Sequence, residues 1–190
     1  MADFSAYTQT FLQETIEIAQ QIDPQSIVAA TEILAHLRAE GGRLFILGNG
    51  GSAGNASHAV NDFRKITGIE TYAPTDNVSE LTAWINDVSF DAAFVEWLKV
   101  SRLSSRDALL VMSVGGGSAT TSLNLVRAME HAKAVGAKVI SIVSRDGGKS
   151  KELSDACVLV PVVAKERITP HAESWQAVVW HLIVNALVAE

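Results

Sequence analysis

Hydrophobic residues recur at helical spacing in the first forty residues of the chain. Between residues 5 and 20 most of them fall three or four positions apart, at Tyr7, Phe11, Leu12, Ile16 and Ala19. This is the spacing of a helix with one buried face. A second stretch of this kind follows Asp23 and Pro24, and proline suits the first turn of a helix. The pattern predicts two leading helices within residues 1–40.

Two later segments repeat one order of apolar strand, glycines and helix. In the first, a predicted strand at 43–48 ends at glycines and passes into helical periodicity from about Ser52. In the second, a strand at 108–113 is followed by glycines at 115–117 and by a helix that begins near Ser118. Strands and helices that alternate in this way are typical of an α/β protein.

The remaining strands are also apolar at nearly every position. They are predicted at 137–144 and 157–163, and a final helix is predicted from about Ala172 onward. Because such strands are buried on both faces, they indicate a parallel sheet that is covered by helices on each side. The sequence therefore predicts an α/β fold: a three-layer α/β/α sandwich with a central parallel sheet and leading N-terminal helices.

The segment between the two glycine loops gives a weaker pattern. Residues Glu70 to Ala73 are compatible with a short strand. Ser79 has the side chain of a helix cap, and the residues after it predict a helix through Trp84.

Composition limits the classes of protein to which the chain can belong. Its 190 residues are 48% hydrophobic and 19% charged, which argues against disorder, and no apolar run reaches the roughly 20 residues that cross a bilayer. The length suits one domain over 1–190, with helices in 1–40 for packing and oligomerisation and an α/β core in 41–190. No basic start precedes an apolar stretch, so we expect no secretory signal and a cytoplasmic protein.

The charge distribution argues against a nucleic-acid partner. The net charge is -6, and lysines and arginines form no cluster, whereas nucleic-acid binders carry a basic face. An anionic ligand would have to be held by something other than bulk positive charge. The single cysteine, Cys157, lies in an apolar run and is interpreted as a small core residue.

Both glycine loops have features of a phosphate-binding site. Each places glycines and a serine where a helix begins, and the free N–H groups and dipole of a helix start favour an anion. Neither loop matches the P-loop or the dinucleotide fingerprint. The alternative is that the glycines only form tight turns, but two serine-bearing copies at the carboxyl ends of strands favour ligand binding. The residues concerned are Asn49, Gly50, Gly51, Ser52, Ser113, Gly115, Gly116, Gly117 and Ser118.

Two helices carry residues of the metal-ligand type. His58 and Asp62 are four positions apart and share a helix face. Glu173 and His181 are eight positions apart, a rise of about 12 Å, so both could reach one ion only from opposite sides. The alternatives are a hydrogen-bonded core histidine at 181 and an ordinary first-turn residue at 173. His171 is compatible with a cap, a substrate contact or no role.

Taken in order, these motifs resemble the phosphoheptose isomerase branch of the SIS (sugar isomerase) family. The resemblance begins with Gly-Asn-Gly-Gly-Ser at 48–52, followed by His58 and Asp62. Asn86 and Asp87 are similar to an Asn-Asp pair of the family, the loop 113–118 to its serine-rich phosphate loop, and Arg-Asp-Gly-Gly at 145–148 to its Lys-Asp-Gly-Gly turn. Glu173 and His181 complete the match, which covers nearly the whole chain.

The resemblance implies an α/β/α sandwich, a homotetramer with active sites at subunit interfaces, and a phosphorylated sugar as substrate. Members convert sedoheptulose 7-phosphate into a heptose 7-phosphate for surface-glycan precursors, and similar members can bind zinc. By position, Asp62 is the implied general base and His181 the general acid. The implied metal ligands are His58, Asp62, Glu173 and His181. The implied substrate-binding residues are Asn49, Gly50, Gly51, Ser52, Asp87, Ser113, Gly115, Gly116 and Ser118.

The chain departs from the family pattern at several positions. The family usually has glutamate at the position of Asp62 and glutamine at that of Glu173, and its second loop has two more hydroxyls than Val-Gly-Gly-Gly-Ser at 114–118. His-Ala-Glu-Ser at 171–174 replaces an Arg-x-Gln-Glu run. Two rival hypotheses follow: a non-catalytic SIS protein that senses a sugar phosphate or binds a replication initiator, and an isomerase of a related phosphosugar. Retention of Asp62, Glu173 and His181 favours an enzyme.

Overall fold

Helices and strands alternate along residues 3–189, the part of the chain that this computed structural model describes. The helices are α1 (Phe4–Gln21), α2 (Pro24–Ala39), α3 (Gly51–Asp62), α4 (Val78–Asp87), α5 (Phe90–Val100), α6 (Leu123–Ala134), α7 (Gly148–Leu153) and α8 (Ile168–Ala186). The strands are β1 (Leu44–Gly48), β2 (Thr71–Tyr72), β3 (Ala108–Met112), β4 (Lys138–Val143) and β5 (Ala156–Leu159). Over this range, no helix is long and apolar enough to cross a membrane.

The five strands form one parallel sheet in the order β2-β1-β3-β4-β5. Successive side chains of β1 point to opposite faces, as the pleat of a strand requires. Leu44 and Ile46 join a core with α1, α2, α3 and α8, whereas Phe45 and Leu47 join a second core with α5 and α6. The predicted α/β/α sandwich is therefore confirmed.

The strand order determines where a ligand can bind. The chain leaves β1 toward β2 on one side and later adds β3 on the other side of β1. Between two such strands a crevice opens at the carboxyl end of the sheet, and this is where open α/β sheets bind their ligands. The two glycine loops directly follow β1 and β3, so both border this crevice.

Both leading helices form as predicted, and local capping explains where they begin. Asp3 and Asp23 stand before α1 and α2, and each side chain accepts a hydrogen bond from a backbone N–H of the first turn. Pro24 occupies the first turn of α2, where no N–H is needed. The short strand β2 also lies where the sequence indicated.

Three helix boundaries differ from the sequence prediction. Asn77, not Ser79, caps α4, and α8 begins one turn early at Ile168. The helix expected from Ser118 begins only at Leu123, because the Ser118 hydroxyl accepts the N–H groups of Thr120 and Thr121 and so holds a turn there. Helix α5 was not predicted, although Ser89 caps it and its apolar residues fall at helical spacing.

A charged cluster joins α1 to the beginning of α8. Both carboxylate oxygens of Glu14 accept hydrogen bonds from Arg167, and one of them lies 2.8 Å from Nε2 of His171. The ring of Phe11 stacks on His171 at 4.3 Å between centroids. These partners hold the pKa of Glu14 at about 2, mainly through the hydrogen bond from Arg167. His171 is thus buried against α1, and this packing role is none of the three that the sequence left open.

Candidate active site

A cavity of about 700 Å³ opens at the carboxyl ends of β1, β3 and β4. Serine hydroxyls and glycine backbone form much of its wall, as a phosphate site requires. Five of the predicted substrate-binding residues line it, and the second loop supplies three of them. They are Asn49, Ser52, Ser113, Gly115 and Ser118, of which Asn49 and Ser52 belong to the first loop.

Within the first loop, the two polar side chains differ in what they can offer a ligand. The amide of Asn49 is paired in both directions with that of Asn124 on α6, at 3.0 and 2.8 Å, which fixes its orientation. Ser52 is buried and its hydroxyl makes no hydrogen bond within residues 3–189, so it remains available to a ligand. Gly50 precedes α3 with a φ of +59°, and no side chain caps that helix start.

The second loop requires glycine at its centre. Gly116 has a φ of +71°, and a Cβ atom there would lie 1.9 Å from the carbonyl oxygen of Gly147. Its N–H donates to the Ser113 hydroxyl at 3.1 Å, which folds the loop back on itself. Only glycine combines this conformation with so close a backbone contact. The loop is therefore held in shape before any ligand binds.

Sequence reasoning missed part of the cavity wall. The turn after β4 contributes Arg145, Asp146 and Gly148, and the segment before α6 contributes Thr121 and Ser122. The paired glycines at 147 and 148 enter the sequence prediction only through the family resemblance. This turn could have been identified from its place directly after a strand of the parallel sheet. The carboxyl ends of neighbouring strands, such as β3 and β4, lie at the same edge, where open α/β sheets bind their ligands.

Three predicted metal ligands come together between α3 and α8, which cover one side of the sheet. Oδ2 of Asp62 lies 3.9 Å from Nε2 of His58 and 3.7 Å from Nε2 of His181. Helix periodicity brings His58 and Asp62 to one face of α3, and α8 packs alongside and adds His181. The histidine side chains are 59% and 46% exposed, and that of Asp62 is 14% exposed. His181 is not a core histidine.

Hydrogen bonds and stacking orient this cluster. Nδ1 of His181 lies 2.7 Å from the carbonyl oxygen of Ala177, so it must carry the hydrogen, and in the neutral ring Nε2 presents its lone pair to Asp62. The other carboxylate oxygen of Asp62 accepts from Asn61 at 2.7 Å. The buried indole of Trp180 stacks on His181 and meets His58 edge to face. Trp180 thus contacts both imidazole rings and restricts their orientation.

The three side chains suit a divalent cation. Their ligand atoms all lie within 4.8 Å of one another, and tetrahedral zinc ligands are about 3.3–3.5 Å apart given metal–ligand bonds near 2.1 Å. The lone pair of His181 Nε2 and the carboxylate of Asp62 are both acceptors, so they repel each other unless a proton or a metal ion lies between them. Two imidazoles and a carboxylate form a donor set of the kind that catalytic zinc sites use.

Glu173 does not join this cluster in the structure. Its carboxylate lies against Gly51 at the first turn of α3, where a Cβ atom would come within 2.4 Å of it. Asn55 fixes the backbone here, because its amide donates to the carbonyl of Glu173 and to the side chain of Gln176. Glu173 as a fourth metal ligand stays a prediction, and it would require the carboxylate to move toward His181.

The remaining predicted substrate residues lie outside the cavity wall. Asp87 is exposed at the end of α4 and accepts a hydrogen bond from Asn86 at 2.8 Å. Gly50, Gly51 and Gly116 shape the backbone of the two loops without lining the cavity themselves. Their predicted contacts with substrate stay predictions.

Comparison with known proteins agrees with this fold. A model of the SIS domain matches residues 6–144, most of the chain, and the chain belongs to the SIS domain family. Within the family, it is similar to phosphoheptose isomerases. The enzyme of that name from Aliarcobacter butzleri is 30% identical, over 96% of this chain and 98% of its own.

A solved structure and a second relative extend the comparison. The phosphoheptose isomerase of Neisseria gonorrhoeae superposes with a TM-score of 0.84 at 26% identity, covering 97% of this chain and 98% of that chain. The lincomycin biosynthesis protein LmbN of Streptomyces lincolnensis is 30% identical over 94% of this chain and 67% of its own length.

Proposed function

We propose that this protein converts sedoheptulose 7-phosphate into a heptose 7-phosphate, which supplies precursors of surface glycans. The observation that carries the proposal is the parallel packing of α3 and α8. Helix α3 begins at the phosphate cavity, where Ser52 lines the wall, and Glu173 near the start of α8 lies against Gly51. Further along, the two helices bring together His58, Asp62 and His181. A sugar phosphate held by its phosphate thus has acid, base and metal-type groups on the same side of the sheet.

The chain is a phosphosugar isomerase of the SIS family. Relatives of nearly its full length carry the name phosphoheptose isomerase, and a solved structure of that name shares its fold. A non-catalytic SIS protein would have no use for a carboxylate between two imidazoles. The cluster therefore favours an enzyme over a sugar-phosphate sensor or a replication-initiator-binding protein.

The reaction moves protons between two adjacent carbons, which suits Asp62 and His181. Asp62 removes a proton from C1 of the ketose, the electron pair forms the C1=C2 double bond, and His181 gives a proton to the C2 oxygen. The resulting enediol then receives the proton of Asp62 at C2, while His181 takes back the proton of the C1 hydroxyl. A carboxylate and an imidazole that act in this way typically contribute about 10² to 10⁴ in rate.

We propose one zinc ion per subunit at the cluster. His58, Asp62 and His181 would hold it in the absence of substrate, and three protein ligands leave a fourth position open, as catalytic zinc sites do. For the proton transfers Nε2 of His181 would have to leave the ion, because Nδ1 is hydrogen-bonded to Ala177 and one lone pair cannot hold zinc and a proton at once. Zinc in this position would polarise the substrate carbonyl and lower the barrier to enediol formation. Glu173 is the proposed occupant of the fourth position when substrate is absent.

The proposed assembly is a homotetramer of single-domain subunits, with the helices of residues 1–40 at subunit contacts. Helix α1 exposes large apolar side chains that the sheet does not cover, at Phe4, Tyr7, Leu12 and Ile16. Contact between subunits would bury them. The exposure of His58 and His181 supports an active site that a neighbouring subunit helps to enclose.

An isomerase of a related phosphosugar is the second candidate function. Its support is the second loop, where Val114 and three glycines leave fewer hydroxyls than phosphoheptose isomerases usually have. A relative of similar identity is named for lincomycin biosynthesis. Such an enzyme would act by the same proton transfers on a ketose phosphate of different length or configuration.

Incubation with zinc and a panel of ketose phosphates tests both candidates. We expect purified protein to convert sedoheptulose 7-phosphate into an aldose phosphate, detected by chromatography and NMR, and chelation to stop turnover. Conversion of another ketose phosphate alone would favour the second candidate. Lack of turnover with every substrate, despite bound zinc, would contradict the isomerase proposal.

A further inference from the structure

The side chain of Arg145 lines the phosphate cavity and carries a positive charge. It is the one lysine, arginine or histidine among the residues that line the cavity. Its Cδ and Nη1 atoms lie 3.8 Å from the point where a Cβ of Gly115 would stand, so the side chain extends along the second loop. The guanidinium therefore borders the same space as the serine hydroxyls.

The backbone holds Arg145 in an unusual conformation. Its φ is +55°, a left-handed value that residues other than glycine seldom adopt. The turn is fixed on both sides, since the N–H of Ser144 donates to the carbonyl of Val114 and the N–H of Gly147 to that of Ser144. A side chain kept at a strained position beside a cavity is a reason to look for a function.

No protein group within residues 3–189 uses the donors of Arg145. Its guanidinium makes neither a hydrogen bond nor an ion pair there, whereas neighbouring charges have partners. Asp146 accepts from the N–H of Gly148 at 3.1 Å, and Lys149 pairs with Glu152. Arginine presents five donors in a fork that matches two oxygens of a phosphate.

Negative charges near the cavity oppose the binding of an anion. Glu173 places a carboxylate at the start of α3, Asp146 lies in the cavity wall, and the chain has a net charge of -6. Hydroxyls and backbone N–H groups would have to hold a dianion against this negative field. One arginine at the rim offsets it locally.

We propose that Arg145 is a specificity-determining residue, which pairs through its guanidinium with the phosphate of the substrate and selects phosphate esters over neutral sugars. This inference rests on the proposed function, because it assumes that the cavity holds the phosphate end of the substrate. Asn49 and the serines then orient the ester, and Arg145 supplies the charge.

Calorimetric titration with inorganic phosphate tests the proposal without any turnover. We expect Arg145→Gln to weaken phosphate binding about tenfold or more, and Arg145→Lys to weaken it less, since lysine keeps the charge and loses the fork. Arg102→Gln is the matched control. Arg102 is exposed and also left-handed at a φ of +54°, but it lies outside the cavity, so its variant should bind as the unmodified protein does.

Labelling the unmodified protein with an arginine-specific dicarbonyl gives a second measurement that no folding defect can affect. Phosphate should protect Arg145 and not Arg102, as mass spectrometry of the peptides would show. Wild-type affinity in Arg145→Gln, or unprotected Arg145, would overturn the inference even if the enzyme isomerises sugar phosphates. Protection of Arg145 in a protein that turns over no ketose phosphate would support the inference and contradict the proposed function.

Discussion

The His181→Ala variant is expected to lose metal binding and most isomerase activity together. His181 supplies both the proposed general acid and one of the three ligand atoms of the cluster, so its removal takes away two contributions at once. We expect kcat to fall by about 10² to 10⁴. Steady-state assays with sedoheptulose 7-phosphate measure the first effect, and titration with Co²⁺, followed by its visible absorption, measures the second.

Two further variants test whether both effects depend on this cluster. His36→Ala removes an exposed histidine of α2, away from the cluster, and should change neither readout. Asp62→Asn keeps the size of the side chain and removes the charge that a base and an anionic ligand both need, so both readouts should fall. If His181→Ala kept wild-type Co²⁺ affinity, the three residues would not form a metal site.

The strands and the phosphate loops were predictable because their signals are local. Each strand is a short apolar run, and each loop follows one directly, so their common place at the carboxyl end of the sheet follows from parallel pairing alone. The pairing of His58 with Asp62 is local too, as it needs only helix geometry. The approach of His181 to them depends on how α8 packs, and there the family resemblance supplied what periodicity could not.

The features that were missed depend on contacts between distant parts of the chain. Glu14 is separated from Arg167 by 153 positions and from His171 by 157, so no spacing rule connects them. The placement of Glu173 at Gly51 depends on the register between α3 and α8, which Asn55 helps to set. Such details follow from packing, and a single sequence contains no pattern that reports them.

Glu14→Gln is expected to destabilise the protein near neutral pH and to make its stability less sensitive to acid. The variant leaves Arg167 and His171 without their carboxylate, and loss of one partner from a largely buried pair should lower Tm by about 5 to 10 °C in a chain of this size. The carboxylate of Glu14 is nearly buried between α1 and α8. Thermal and urea unfolding measure the change at each pH.

The pH dependence follows from the lowered pKa of Glu14. The folded value is about 2 against an ordinary 4.5, so its contribution to stability is complete above about pH 4.5 and is lost as the pH falls toward 2. The difference between wild type and variant should therefore be largest above pH 5 and shrink below pH 4.5. Glu17→Gln, at an exposed site on α1, is the control and should show little difference at any pH. If the stability difference between wild type and Glu14→Gln stayed constant from pH 7 to pH 3, the Glu14 carboxylate would not stabilise the packing of α1 against α8.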